Sequence, residues 1–185
     1  MSRQFWSEAV TWATADGTAV ANTVTETAIF PNITIPANFL QDGRSLRLKA
    51  FGKYSTTLTP TITFRLRWGG AAGTLLCASP AVTTQTTVTN ALWYIEIMLT
   101  TRANGTTGSV MANGQATVYA NVAPTVASTT GAAADTPMTA GGVTAPAAVT
   151  VDLTADTSLS LTTTWSAASA SNTLTGTNFV LEALN

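Results

Sequence analysis

The sequence contains no histidine, and Cys77 is its single cysteine. The absence of histidine excludes Ser-His-Asp and Cys-His catalytic arrangements, because histidine is the general base in both. One cysteine without histidine cannot complete the nitrogen and sulfur shell of a zinc site or form a disulfide within the chain. Because Cys77 lies in an apolar run, we expect a buried thiol that packs as a small hydrophobic group. The sequence therefore predicts no metal site and no cofactor.

Charged residues are also scarce, at 9% of the chain with a net charge of −1, whereas roughly 25% is usual in a soluble protein. The eight lysines and arginines are thinly spread and form no basic stripe, so we expect no nucleic-acid partner. A polar but weakly charged surface can be pressed against another protein without desolvating many ions. This composition favours a protein that belongs to an assembly. The same composition is also compatible with a secreted or thermally stable β-domain, which is the alternative.

Long apolar runs are missing as well, since none approaches the roughly 18 residues that a membrane span needs. The first residues lack the continuous apolar stretch of a signal peptide. We therefore expect a protein that is made in a cytosol and has no membrane partner. Helix signals are scarce too, because β-branched threonine and valine are abundant and caps followed by a helical period are absent.

Alternation of apolar and polar side chains is the main pattern that is present, and it is typical of half-buried strands. In residues 61–68, for example, Ile62, Phe64 and Leu66 alternate with threonine and arginine. Further strands are predicted at or around residues 45–54, 75–78, 92–102, 108–111, 115–121, 149–153, 159–165 and 179–184. Their spacing predicts an all-β fold, an antiparallel β-sandwich or jelly roll of about eight strands.

The domain organisation follows from where the alternation starts and stops. We predict an N-terminal arm with a first edge strand at residues 1–28 and a single β-sandwich (jelly-roll) domain at 29–185. Between residues 122 and 148 the chain consists largely of alanine, threonine, glycine and proline, with Met138 among its few larger apolar side chains. This segment is predicted to be a long loop, and such loops are often functional.

The five tryptophans divide into two groups. Trp68, Trp93 and Trp165 fall on the apolar faces of predicted strands, so we expect them in the core. Trp6 and Trp12, together with Phe5, precede the first convincing strand and form an aromatic arm that docks on its own domain or on a neighbour. Phe5, Trp6, Trp12 and Met138 are therefore the predicted partner contacts, while a carbohydrate surface lined by tryptophan is the alternative use.

The charged residues permit two further hypotheses. If residues 45–54 and 61–68 form an antiparallel pair, then Arg47, Lys49, Arg65 and Arg67 make a local basic patch, and solvated strand faces are the competing interpretation.

The carboxylates could in principle serve a glycosidase. Most of them lie in turns or at strand ends, where acids are common for structural reasons. We therefore predict no catalytic residue and no enzymatic activity, with a two-carboxylate glycan hydrolase as the remaining alternative.

Two neighbouring segments resemble small virion proteins of tailed phages. They are ITIPANFLQDGRSLRLKAFGKYS at residues 33–55 and TPTITFRLRWGG at residues 59–70. The pattern is similar to jelly-roll head decoration, or cement, proteins and more loosely to fibre-associated domains. The resemblance covers about a fifth of the chain and implies a jelly roll, often a trimer, that clamps neighbouring capsid subunits from outside.

The expected function is therefore that of a capsid decoration protein that stabilises the assembled phage head. The expected partners are the major capsid protein and further copies of the chain in a homotrimer. The expected location is the outer capsid surface of the virion, after synthesis in the host cytoplasm. A receptor- or carbohydrate-binding domain of a fibre or spike is the alternative.

Overall fold

The computed structural model describes residues 7–119, 135–142 and 145–184, and the regular elements of that part of the chain are all β-strands. This confirms the predicted all-β class. Within these residues no helix is long and apolar enough to cross a membrane. In chain order the strands are β1 (Glu8–Trp12), β2 (Val20–Ala21), β3 (Thr27–Ala28), β4 (Ile33–Ile35), β5 (Ser45–Thr56), β6 (Thr61–Trp68), β7 (Thr74–Ala78), β8 (Val82–Thr83), β9 (Val88–Ala103), β10 (Gly108–Val118), β11 (Asp135–Ala140), β12 (Val149–Val151), β13 (Thr157–Trp165) and β14 (Thr173–Ala183).

The strands pair antiparallel in the order β1-β14-β5-β9-β10-β11-β7-β6-β13-β3, and the short strands β2, β4, β8 and β12 pair with β14, β13, β6 and β10. We use the name sheet A for β1, β14, β5, β9 and β10, and sheet B for β7, β6, β13, β3 and β4. Strand β11 pairs with both β10 and β7 and so joins the two sheets. The resulting β-sandwich is continuous through β11 on one side. On the other side it ends at β1 and at β3 and β4.

The core lies between the inner faces of the two sheets. Along β6 the side chains alternate strictly between buried and half-buried, as the sequence pattern predicted. Phe64 from sheet B meets Trp93 from sheet A with their ring centroids 5.5 Å apart. Trp68, Trp93 and Trp165 are all buried. The prediction that these three tryptophans belong to the core is therefore confirmed.

The predicted pairing of β5 with β6 is wrong. Strand β5 has β14 on one side and β9 on the other, whereas β6 pairs with β13, β7 and β8. The connection after Thr56 therefore crosses from sheet A to sheet B, and the predicted basic patch does not form. Arg47 and Lys49 lie on one sheet and Arg65 and Arg67 on the other.

The predicted loop at 122–148 is also wrong in part, because β11 (Asp135–Ala140) lies inside it. Thr136, Met138 and Ala140 point inward from this strand, and Asp135 and Pro137 point outward. The sequence pattern missed the strand because most of its inward side chains are small. Met138, predicted to contact a partner, is only 1% exposed and packs in the core instead of reaching the surface. Residues 120–134 and 143–144 of this segment lie outside the described residues.

Candidate binding surfaces

Among the described residues, Cys77 is buried, and the carboxylates other than Glu8 take part in hydrogen bonds or ion pairs. Burial raises the pKa of the Cys77 thiol to about 12, so the sulfur is protonated at neutral pH. No group of three histidine, cysteine, aspartate or glutamate side chains lies close enough in these residues to hold a metal ion.

The best-connected carboxylate is Glu26, which lies just before β3. The Arg67 guanidinium donates to it twice, from Nε at 2.5 Å and from Nη2 at 2.8 Å, and Thr162 Oγ1 donates at 2.5 Å. Arg65 Nη1 is 3.5 Å from the same carboxylate. Burial acts to raise the pKa of Glu26, but the hydrogen bonds from Arg67 and Thr162 and the charges of both arginines outweigh it and lower the pKa. This cluster ties β6 and β13 to the edge of sheet B.

The outer surface of sheet A carries a different mixture of side chains. Strand register places Val180 beside Lys49 and Lys49 beside Glu96, while Arg47 lies between Glu182 and Met98. We call this surface the sheet A face, and its main side chains are Arg47, Lys49, Phe51, Leu92, Tyr94, Glu96, Met98, Val180 and Glu182. The rings of Phe51 and Tyr94 are in contact at 4.7 Å between centroids. Leu92 and Met98 are each 41% exposed, which is high for large apolar side chains.

The charges on the sheet A face are paired with one another. Arg47 Nη2 is 2.7 Å from Glu182 Oε2, and Lys49 Nζ is 3.7 Å from Glu96 Oε1. The Tyr94 hydroxyl donates a hydrogen bond to Glu96. Burial raises the pKa of Tyr94 to about 12, with a smaller contribution from Glu96, so the hydroxyl is protonated at neutral pH. The face thus combines exposed apolar side chains with charges that already have partners.

A groove of about 730 Å³ lies at the side of the sandwich where β1 and the edge of sheet B come together. Its walls are residues 10–18, which comprise the end of β1 and the loop after it, and residues 28–34. Phe30 and Phe179, with ring centroids 4.8 Å apart, are among its apolar lining residues. Trp12 belongs to the first wall and is 58% exposed.

Gly17 allows the two walls of the groove to lie close together. A Cβ atom at Gly17 would lie 2.3 Å from the Ile29 carbonyl oxygen, so only glycine allows the loop after β1 to approach the second wall this closely. The Gly17 amide donates to the Gly176 carbonyl at 2.8 Å, and the Ala13 amide donates to the Phe179 carbonyl at 3.0 Å. These hydrogen bonds anchor the loop to β14. The close approach at Gly17 and these hydrogen bonds therefore fix the position of the loop that forms the first wall of the groove.

Of the predicted partner contacts, Trp12 is exposed at this groove, and Met138 is in the core. Phe5 and Trp6 lie outside the described residues. The sequence alternation along β9 indicates that Tyr94, Glu96 and Met98 share one side of the strand, and in the structure this is the outward side. It missed that Phe51 and Val180 lie beside them, because this depends on which strands are neighbours. It also missed residues 28–34 as a groove wall, for which we find no sequence signal.

Comparison with known proteins adds little to this description. The chain is similar to the CBM2 module of the evolved Dit of Lactobacillus casei BL23 phage J-1, with 10% identity, 99% of each chain covered and a TM-score of 0.39. It is also similar to a chain in the structure of infectious bursal disease virus, Gx strain, with 11% identity, 98% of this chain and 42% of that chain covered, and a TM-score of 0.19. Neither score is high enough to carry a structural or functional argument. No protein-family model matches the sequence, and no curated protein matches it.

Proposed function

We propose that this chain is a non-enzymatic structural protein of a phage virion, and that it binds the outside of the assembled head through the sheet A face. The observation that carries the proposal is the composition of that face. Its exposed apolar side chains include Leu92 and Met98, and its lysine and arginine charges are paired with carboxylates. Aromatic side chains, methionine and arginine are enriched in protein interfaces.

The paired charges matter because burying a lone ion is far more costly than burying one that keeps its partner. Arg47 and Lys49 can therefore enter an interface together with Glu182 and Glu96 at a reduced desolvation cost. The area of the sheet A face is also suitable for a protein interface. Four of its strands, β14, β5, β9 and β10, have at least 11 residues and are therefore at least about 37 Å long, and at a spacing of about 4.8 Å they give a face of roughly 700 Å². Each partner in a standard protein interface contributes about 800 Å², with a spread of about 200 Å².

The virion assignment draws on the resemblance of residues 33–55 and 59–70 to head decoration proteins and on the low charge of the chain. A decoration protein stabilises a shell by binding the assembled lattice and not the free subunits, which requires no catalysis. The partner under this proposal is the major capsid protein, and the chain acts as a homotrimer on the outer capsid surface. It is synthesised in the host cytoplasm before assembly. Light scattering should then give three times the 19.1 kDa mass of one chain.

The proposal is tested by co-sedimentation of the purified chain with phage heads. The double variant Leu92→Asp with Met98→Asp adds two carboxylates to the sheet A face, next to Lys53 and Arg47, whose charges are already paired with Asp16 and Glu182. An unpaired charge buried in an interface costs at least about 2 kcal/mol, so binding should weaken more than tenfold. Leu58→Asp is the matched control, because Leu58 is 73% exposed and lies outside the sheet A face in the connection between β5 and β6.

The control variant should co-sediment with heads as well as the unmodified chain does. Equal binding by the double variant and by the control would reject the sheet A face as the docking surface. Failure of the unmodified chain to bind any head would reject the decoration function itself. Circular dichroism of each variant verifies that the fold is retained.

A further inference from the structure

We propose that the groove between residues 10–18 and residues 28–34 binds a neutral saccharide, with Trp12 as the aromatic side chain on which a sugar ring packs. This inference goes beyond head binding and does not depend on it. The groove lies at the side of the sandwich where β1 and the edge of sheet B come together, and it borders the sheet A face, because Trp12 is paired in register with Val180.

The exposure of Trp12 is the first observation that supports a ligand. Trp12 is 58% exposed, while Trp68 at 7% is the most exposed of the three core tryptophans. The exposed indole of Trp12 therefore has apolar surface that is available to contact a ligand. One face of a pyranose ring presents C–H groups, which are apolar and slightly positive. The negative face of an aromatic ring attracts such groups.

The polar groups of the groove suit sugar hydroxyls, because most of them are neutral groups that donate or accept hydrogen bonds. The lining residues include Thr11, Thr14, Thr18, Thr34 and Asn32, whose side chains carry hydroxyl or amide groups. Asn32 Oδ1 accepts a hydrogen bond from Ser160 Oγ at 2.5 Å, which holds the amide in place. A threonine hydroxyl donates and accepts, and an amide does both through separate atoms, so together they match the mixed character of a sugar hydroxyl.

The charge of the groove argues against an ionic ligand. Among the described lining residues, Asp16 is the one that carries a charge, and its carboxylate is 3.7 Å from Lys53 Nζ. An anionic ligand would meet this carboxylate, and a cationic ligand would compete with Lys53 for it. The volume of about 730 Å³ falls within the range of about 300–1,000 Å³ that is usual for small-molecule sites.

An extended peptide is the competing occupant, because β1 is a terminal strand of the sheet and edge strands accept an added strand. The register of β1 argues against it. The pairing of β1 with β14 shifts between Ala9 and Thr11, so the strand is irregular at its middle. Such irregularities bend an edge strand and disrupt the regular ladder that an added peptide needs. The second wall is regular only at β3 and β4, which are two and three residues long.

The test is affinity electrophoresis of the full chain in native gels that contain one soluble polysaccharide each. The neutral probes are dextran, galactomannan, xyloglucan and β-glucan, and the anionic probe is polygalacturonate. We expect at least one neutral polysaccharide to retard the chain. In that gel Trp12→Ala should weaken binding at least tenfold, and Asn32→Ala should also weaken it. Trp12→Phe should retain part of the affinity, because it keeps an aromatic face.

Two variants outside the groove serve as controls. Leu58→Ala should bind like the unmodified chain, and so should Met98→Asp, which lies beside Arg47 and leaves the contact between Lys53 and Asp16 intact. The proposal is overturned if no neutral polysaccharide retards the chain, if only polygalacturonate does so, or if Trp12→Ala and Asn32→Ala both bind as tightly as the unmodified chain. Because saccharide binding is measured in polysaccharide gels and head binding by co-sedimentation, failure of this inference is distinguishable from failure of head binding.

Discussion

The ring of Phe30 occupies the space that a side chain at position 176 would fill. A Cβ atom at Gly176 would lie 2.3 Å from Cζ of Phe30, and Phe30 in turn contacts Phe179 with ring centroids 4.8 Å apart. Gly176 lies in β14 at the point where its register with β5 shifts. This close packing couples the irregular point of β14 to the lining of the groove.

Gly176→Ala is therefore expected to displace Phe30 and to destabilise the protein. Overpacking a filled site costs about 1–3 kcal/mol, and we expect the free energy of unfolding in urea to fall by that amount. Asn178→Ala is the matched control on the same strand, since Asn178 is exposed, and it should change stability by less than about 0.5 kcal/mol. Equal stability of the two variants would show that Phe30 moves aside without cost.

Trp93 and Trp165 provide a matched pair of buried tryptophans that differ in one hydrogen bond. Trp165 Nε1 donates to the Val20 carbonyl at 3.2 Å, whereas Trp93 Nε1 has no hydrogen-bond partner within the described residues. Replacing either residue with phenylalanine removes similar apolar volume, but Trp165→Phe loses a hydrogen bond, whereas Trp93→Phe removes the unpaired buried N–H group. An unpaired buried group costs about 1–3 kcal/mol. Urea unfolding should therefore show Trp165→Phe to be less stable than Trp93→Phe by that difference, and the opposite order would contradict this account.

The Glu26 cluster predicts a dependence of stability on pH. The folded-state pKa of Glu26 lies below its ordinary value of 4.5, so the group stabilises the fold above that value, and this contribution is lost as the pH falls through the folded pKa. Glu26→Gln should lower the free energy of unfolding at neutral pH by about 1 kcal/mol, because two arginines lose their partner in a partly exposed site. The difference between the variant and the unmodified chain should shrink as the pH falls below 4.5. A difference that stays constant with pH would exclude an ionic role for Glu26.

Cys77 is expected to be inert while the protein is folded. Its side chain is fully buried, and burial raises the pKa of the thiol to about 12. Because the thiolate is the reactive form, an aromatic disulfide reagent should label Cys77 only at the rate of unfolding. The labelling rate in urea should follow the unfolding transition. Rapid labelling in native buffer would show that the region around β7 opens locally.

Several features of the fold were predictable because they depend on local pattern. The alternation in residues 61–68 identifies a strand with one buried face, and β6 lies there with Ile62, Phe64 and Leu66 buried. The same reasoning placed Trp68, Trp93 and Trp165 in the core. Strand β11 was not predicted, because its threonine, alanine and proline residues give little difference in hydrophobicity between its two faces. Its burial results from pairing with β10 and β7, which lie earlier in the chain.

The sequence by itself determined that the chain forms strands and which side chains of the strongest strands face inward. It also determined which reaction chemistry is excluded by the lack of histidine. The order of the strands was decided only by the tertiary structure, because antiparallel partners far apart in sequence compete for the same edges. That order separates β5 from β6, sets Phe51 beside Tyr94 on the sheet A face, and brings residues 10–18 and 28–34 together around the groove. Outward-facing residues acquire a common surface only through such long-range pairing, and a local pattern cannot reveal it.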